Sequence, residues 1–231
     1  MTALMDLQDI RTYFYVRKGF FWTLAIKAVD GVSLGIDKGE TVAIVGESGS
    51  GKTTLGRTAL NLVKPVSGKI IFEGKDITNI EKDAKWFRRK AQMIFQDPFM
   101  SLNPYMTVRQ IIEEPMIIHA FDEKERKERT LKALADVKLL PPEEFLPKYP
   151  HMLSGGQRQR VGMARCLVLE PTFIVADEPV SMIDASSRAE MLSLIKDVQK
   201  KYDMGIMYIT HDIATAKYFS NNMAVMYAGK I

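Results

Sequence analysis

Nine consecutive residues, Gly46 to Thr54, read GESGSGKTT. They match the pattern G-x-x-x-x-G-K-[ST], with Gly46, Gly51, Lys52 and Thr53 fixed and Glu47, Ser48, Gly49 and Ser50 between them. A loop of this kind leaves backbone N–H groups bare, and the helix it opens adds the positive end of its dipole, so the segment suits phosphate. Lys52 is the group to bridge β- and γ-phosphates, and the Thr53 hydroxyl is the group to hold Mg²⁺. A plain glycine-rich turn is the competing reading. The flanks argue against it, since an apolar run, TVAIV, precedes the loop and a helical pattern, TTLGRTALNLV, follows it.

Three further apolar runs end in chemistry-bearing residues. FIVADEP ends in Asp177 and Glu178. Asp177 fits the second Mg²⁺ position of such a site, and Glu178 beside it can polarise a water for attack on the γ-phosphate. MYITHD ends at His211, whose imidazole can hydrogen-bond the γ-phosphate. MIFQDP ends at Gln96, whose carbonyl oxygen can touch Mg²⁺ and the attacking water. Each alone reads as an ordinary turn residue. Together, beyond the carboxyl ends of strands where open α/β sheets bind ligands, they describe one site.

A second anion-like segment lies in HMLSGGQRQR, residues 151–160. Ser154 and Gln157 form an S-x-x-Q capping box for a helix expected from about Gly155 through Leu167. Gly155 and Gly156 in its first turn each cost about 1 kcal/mol relative to alanine. Close approach of a ligand to bare backbone accounts for them better than helix propensity does.

The elements that position these residues alternate short apolar runs with helical stretches. That is the signature of an α/β fold with a buried, mainly parallel sheet. The region from Thr107 to about Leu140 is helix-forming, with Leu131, Leu134, Val137 and Leu140 as one apolar face. PPEEFLPKYP then breaks regular structure, and the final NNMAVMYAGKI alternates Met223, Val225 and Tyr227 as a strand does. Residues 1–96 and 166–231 read as an α/β core with a β subdomain, and 97–165 as an inserted helical subdomain.

Bulk properties fit one globular domain of 231 residues, with 46% hydrophobic and 26% charged residues. The net charge of +4 is modest and its basic residues are scattered, which gives no sign of a nucleic-acid partner. The densest cluster, Arg88-Arg89-Lys90, reads as solvated surface. The single cysteine, Cys166, rules out an internal disulfide, lies in an apolar run, and suits a reducing compartment. The N-terminus lacks a signal-peptide pattern, and no apolar run approaches the roughly 18–20 residues that span a bilayer. Work at a membrane would need another chain to span it.

Taken in order, the P-loop, Gln96, LSGGQ, ADE at 176–178, SMID at 181–184 and His211 resemble the nucleotide-binding subunit of an ABC transporter over essentially the whole chain. The segments AIKAVDGVSLGIDKGET, FQDPFMSLNPYMTV and YPHMLSGGQRQRVGMAR resemble the dipeptide/oligopeptide importer branch, some of whose members carry oligosaccharides. The resemblance implies a P-loop, RecA-like ATPase core with an N-terminal antiparallel β subdomain and an inserted α-helical subdomain. It implies ATP and Mg²⁺ as ligands, and Ser154 with Gly156 contacting the γ-phosphate of an ATP bound to a second subunit. Asp184 would lie at that dimer seam, and an N-terminal aromatic, Tyr13 with Phe14 and Tyr15 as competitors, would stack on adenine.

The implied partners are an identical or related ATPase subunit, transmembrane permease chains and, indirectly, a solute-binding protein, with the chain peripheral on the cytoplasmic face of the membrane. The stretch from Asp97 to Tyr105 is the expected docking surface, with Phe99 and Met100 reading equally as apolar contacts for a partner helix or as local core. Three features depart from the family pattern. SMID replaces the usual SALD, Thr53 replaces the commoner serine, and the chain ends at Ile231, so the C-terminal extension of relatives is expected to be absent. A soluble ABC ATPase acting on DNA or ribosomes is the alternative. It is opposed by the short helical insert and the single cassette, while a P-loop kinase or GTPase has no use for LSGGQ.

Overall fold

The computed structural model describes residues 3–18, 22–80, 84–97, 102–181 and 183–231. Phe99, Met100 and Met182 lie outside the described residues. Two sheets form the frame. Strands β1 (Met5–Lys18), β2 (Trp22–Ile36), β4 (Ser67–Phe72) and β5 (Lys75–Asp76) make an antiparallel sheet in the order β2-β1-β4-β5. Strands β3 (Thr41–Val45), β6 (Ala91–Ile94), β7 (Phe173–Asp177), β8 (Gly205–Thr210) and β9 (Asn222–Val225) make a parallel sheet in the order β6-β7-β8-β3-β9.

The central strands β3, β7 and β8 are buried at every residue, as strands covered on both faces must be. Their two faces separate cleanly. Val42, Ile44, Val175, Met207 and Ile209 join the cluster under the antiparallel sheet, with Leu55 and Ala59 of α1 (Lys52–Ala59). Ala43, Val45, Ile174, Ala176, Ile206 and Tyr208 join the other cluster. The register agrees, because Val42 pairs with Met207 and Ile44 with Ile209, so like faces align across the sheet.

Helix α2 (Ala84–Lys90) precedes β6. The helical region contains α3 (Val108–Ile118), α4 (Glu123–Asp136) and α5 (Gly155–Leu167), packed on one another, with α5 also touching β6. Helices α6 (Ala185–Tyr202) and α7 (Ile213–Phe219) complete the core. Helices α3 to α7 each begin on a side-chain oxygen, from Thr107, Asp122, Ser154, Asp184 and Asp212 in turn.

One expectation needs correction. The apolar face of α4 does not run on to Leu140, which is exposed; the helix ends at Asp136 and Lys138 turns into the left-handed region, so Leu139 enters the core instead. The strand expected from the alternation of Met223, Val225 and Tyr227 is present as β9. All three are exposed on the edge strand and the turn after it, and Met226 is the residue that goes inside. Cys166 is buried as expected, its thiol donating to the Met93 carbonyl, and burial pushes its pKa up to about 11. Arg88 and Arg89 are solvent-exposed, but Lys90 is half-buried and pairs with Glu73.

Candidate active site

The site sits where β3, β6, β7 and β8 end. Val45 closes β3, and the loop Gly46–Gly51 leads into α1 at Lys52. Gly51 occupies the N-cap with φ 106°, and no side chain caps the helix. Unlike α3 to α7, α1 therefore presents its first N–H groups without a side-chain acceptor, which suits an anion. Both fixed glycines are required by contact. A Cβ on Gly46 would lie 2.1 Å from the Met226 carbonyl oxygen, and one on Gly51 would lie 2.0 Å from that of Ala28. Ala28 is the extra residue of a bulge, since Thr12 pairs with Val29 and Tyr13 with Lys27.

Lys52 is buried and folds back over the loop, its Nζ donating to the carbonyls of Gly46 at 2.8 Å and Glu47 at 2.7 Å. Ser48 and Gly49 form the turn at the loop's tip. Ser50 Oγ is buried without a hydrogen-bond partner. Thr54 faces the helix interior through its carbonyl, which accepts from Thr58 Oγ1.

Thr53 Oγ1 donates to Asp177 Oδ1 at 3.1 Å. Asp177 is buried, and among the described residues no cation lies within ion-pair distance. Burial raises its pKa above the ordinary carboxylate range, opposed mainly by the Thr53 hydrogen bond. A buried carboxylate facing a hydroxyl, with no cation of its own, is a donor set of hard oxygens that fits Mg²⁺.

Glu178 follows, with φ 44°, a strained value for a non-glycine residue. Its amide donates to Ile209 O at 2.9 Å, and its carbonyl accepts from the Ser181 amide at 3.1 Å and hydroxyl at 3.0 Å. The carboxylate is held at both oxygens: Gln96 Nε2 donates to Oε2 at 3.0 Å, and His211 Nδ1 lies 3.1 Å from Oε1. Thus Gln96, Glu178 and His211, far apart in sequence, form one hydrogen-bonded group beside Thr53 and Asp177. The direct Gln96–Glu178 bond was not legible in the sequence.

The other predicted residues lie elsewhere. Ser154 Oγ accepts from Gln157 N at 3.2 Å, and Gln157 Oε1 accepts from Ser154 N at 3.0 Å. The capping box is formed, and Gln157 is engaged in it. A Cβ added at Gly155 or Gly156 would meet nothing within 4 Å, so packing within this chain does not demand either glycine. Asp184 is exposed and caps α6 through the Ser187 amide.

Tyr13 points toward Asp30, its hydroxyl donating to Asp30 Oδ1 at 2.5 Å and Lys27 standing over its ring. Thr12 faces the opposite way, onto Thr58 of α1. The bulge lies in β2, so alternation along β1 puts Phe14 on the Thr12 side.

A groove of about 340 Å³ opens between β6, α3 and α5, lined by residues including Leu62, Phe95, Leu102, Ile118, Gln159 and Cys166. Among the described residues, no helix is long and apolar enough to cross a membrane.

Comparison with known proteins agrees with this arrangement. A family model described as ABC transporter matches residues 29–181. The oligopeptide transport ATP-binding protein AppF of Bacillus subtilis (strain 168) is 46% identical over 234 residues, covering 99% of this chain and 70% of the relative. The dimeric ATP-binding cassette MJ0796, in a post-hydrolysis state with ADP and Pi, superposes with a TM-score of 0.85 at 29% identity, covering 98% of this chain and 96% of that one. The structure of cbiO1 from Clostridium perfringens, part of the ABC transporter complex cbiONQ, gives a TM-score of 0.85 at 29% identity, covering 100% and 87%. With the ordered motifs gathered at the ends of one parallel sheet, and the match running over nearly the whole chain, the protein belongs to the ABC transporter family.

Proposed function

We propose that this chain is the ATP-hydrolysing subunit of an importer for peptides, working beneath a separate membrane permease. The observation that carries the reading is the hydrogen-bonded group of Gln96, Glu178 and His211 beside an uncapped P-loop helix. The identity to an oligopeptide transport subunit supports peptide as the cargo.

In this reading the loop 46–51 and the N–H groups of α1 bind the phosphates of ATP, and Lys52 exchanges its carbonyl partners for the β- and γ-phosphates. Thr53 and Asp177 are the residues to hold Mg²⁺, with Gln96 able to contribute its carbonyl oxygen after its amide turns away from Glu178; the ion supplies charge to offset the phosphates. Glu178 takes the proton of the attacking water. With Glu178 ionised, His211 Nδ1 donates to it, and the ring donates to the γ-phosphate through Nε2 only in its doubly protonated form. Phe14 replaces Tyr13 as the adenine-stacking aromatic, because the Tyr13 hydroxyl is tied on the other side of β1.

The second half of each site comes from another ATPase subunit through Ser154 and Gly156. The dimeric cassette of similar fold supports that partner, and the unobstructed glycines leave room for it. Asp184 lies at the seam. The groove beside Gln96 seats the permease, the described part of the surface expected around Asp97 to Tyr105. The helical segment 97–165 carries the motion between them, and the chain sits peripherally on the cytoplasmic face, served indirectly by a solute-binding protein.

The test is reconstitution of the chain with its permease and binding protein in vesicles. Peptide uptake that requires ATP on the cassette side is expected. ATP hydrolysis that no peptide and no permease stimulates would overturn the transport reading.

A further inference from the structure

The catalytic glutamate is followed by a carbonyl that one buried side chain holds. Gln159, on the first turns of α5, is 4% exposed, and its Nε2 donates to the carbonyl oxygen of Pro179 at 2.8 Å. Pro179 has no N–H, so this carbonyl is the residue's only backbone hydrogen-bonding group.

The neighbourhood shows why that bond matters. Glu178 sits at φ 44°, and such a conformation persists only where its surroundings impose it. The Glu178 amide is held by Ile209 O, and the Glu178 carbonyl by Ser181. Both sets of contacts come from the core side. Gln159 is the contact from α5, the signature helix opened by the LSGGQ segment, two residues beyond Gln157. It also lines the groove beside Phe95 and Cys166. One side chain therefore touches the groove, belongs to the helix that opens with Ser154, and holds the peptide next to Glu178.

We propose that Gln159 is a positioning residue for hydrolysis: it fixes the Glu178–Pro179 turn from the signature helix and so sets where the Glu178 carboxylate stands. The proposal rests on the reading of Glu178 as the base. Among the described residues Gln159 bonds to the Pro179 carbonyl, outside the loop 46–51, so its removal is expected to loosen the turn without weakening ATP binding. A tenfold rate effect corresponds to about 1.4 kcal/mol, within the range of one lost hydrogen bond, and is the scale to look for.

The experiment is a double-mutant cycle on the ATPase of the purified chain at saturating protein. Gln159→Leu and Gln159→Met both remove the donor, and Met keeps the length. Each is expected to lower kcat about tenfold while KM for ATP and equilibrium ATP binding stay within twofold. Gln159→His, which retains a ring N–H, is expected to recover part of the loss. In the Glu178→Gln background, Gln159→Met is expected to cost nothing further, because the group it positions is already gone.

Full additivity in that background would overturn the proposal, as would unchanged kcat in a folded Gln159→Met. If Leu fails to fold, thermal melting identifies it and the Met variant carries the test. Failure of the underlying reading looks different: Glu178→Gln alone would then turn over near the wild-type rate.

Discussion

Gln96 Nε2 and Glu178 Oε2 lie 3.0 Å apart, a direct bond between the residue two positions beyond β6 and the one that follows β7. With His211 on the other oxygen, both sides of the carboxylate are occupied. In the proposed reading Glu178 takes a proton from water, and these two bonds set where its carboxylate stands.

Glu178→Gln is expected to lower ATP hydrolysis by about 10²-fold or more. ATP binding should persist, and light scattering should find the ATP-bound dimer held closed. Turnover near wild type would remove Glu178 from its role.

Ser154→Arg is expected to leave ATP binding by the single chain intact and to abolish ATP-dependent dimerisation. Fluorescent-nucleotide titration and light scattering read the two effects separately. Persistence of the dimer would contradict a half-site supplied by the second subunit.

Gly156→Ala separates stability from activity. Nothing in the chain crowds an added Cβ there, so helix propensity alone should raise unfolding stability by up to about 1 kcal/mol. ATPase should nevertheless fall, because the added methyl meets the other subunit's nucleotide. A gain in both would mean the bare backbone is not used.

Much of this was legible because it is local. The P-loop, the capping box of Ser154 and Gln157, and the helix to Leu167 are each set by residues within a few positions. What was not legible depends on distant backbone. The phase of β1 relative to α1, which puts Phe14 and Tyr13 on opposite faces, is set by the contact of Thr12 with Thr58. The need for glycine at 46 and 51 arises from the carbonyls of Met226 and Ala28. The apolar spacing of α4 runs on past the end of the helix, where Lys138 adopts φ 58° and rotates the register.

Gly51→Ala is expected to destabilise the nucleotide-free chain by about 2 kcal/mol, since φ 106° and the Ala28 carbonyl both oppose it. Gly49→Ala tests the two causes apart. It has positive φ but open space, and should cost less. Denaturant unfolding of both variants gives the comparison.

Asp177→Asn should abolish Mg²⁺-dependent hydrolysis while stabilising the nucleotide-free fold, because it removes a buried charge without a cation partner. Thermal melting with and without Mg²⁺ and ATP checks both signs. The wild type should gain stability from the pair, and the variant should gain far less.

The fold-back of Lys52 onto the carbonyls of Gly46 and Glu47 has a consequence for nucleotide exchange. The ammonium serves as a placeholder that keeps the loop wound around a centre of positive charge. Arriving ATP finds a cradle already shaped, so little chain ordering is charged against its affinity. If Lys52 acts as proposed, the loop left by departing ADP can be held again by the same two bonds. Turnover can then proceed through successive ligands without the loop having to refold between them.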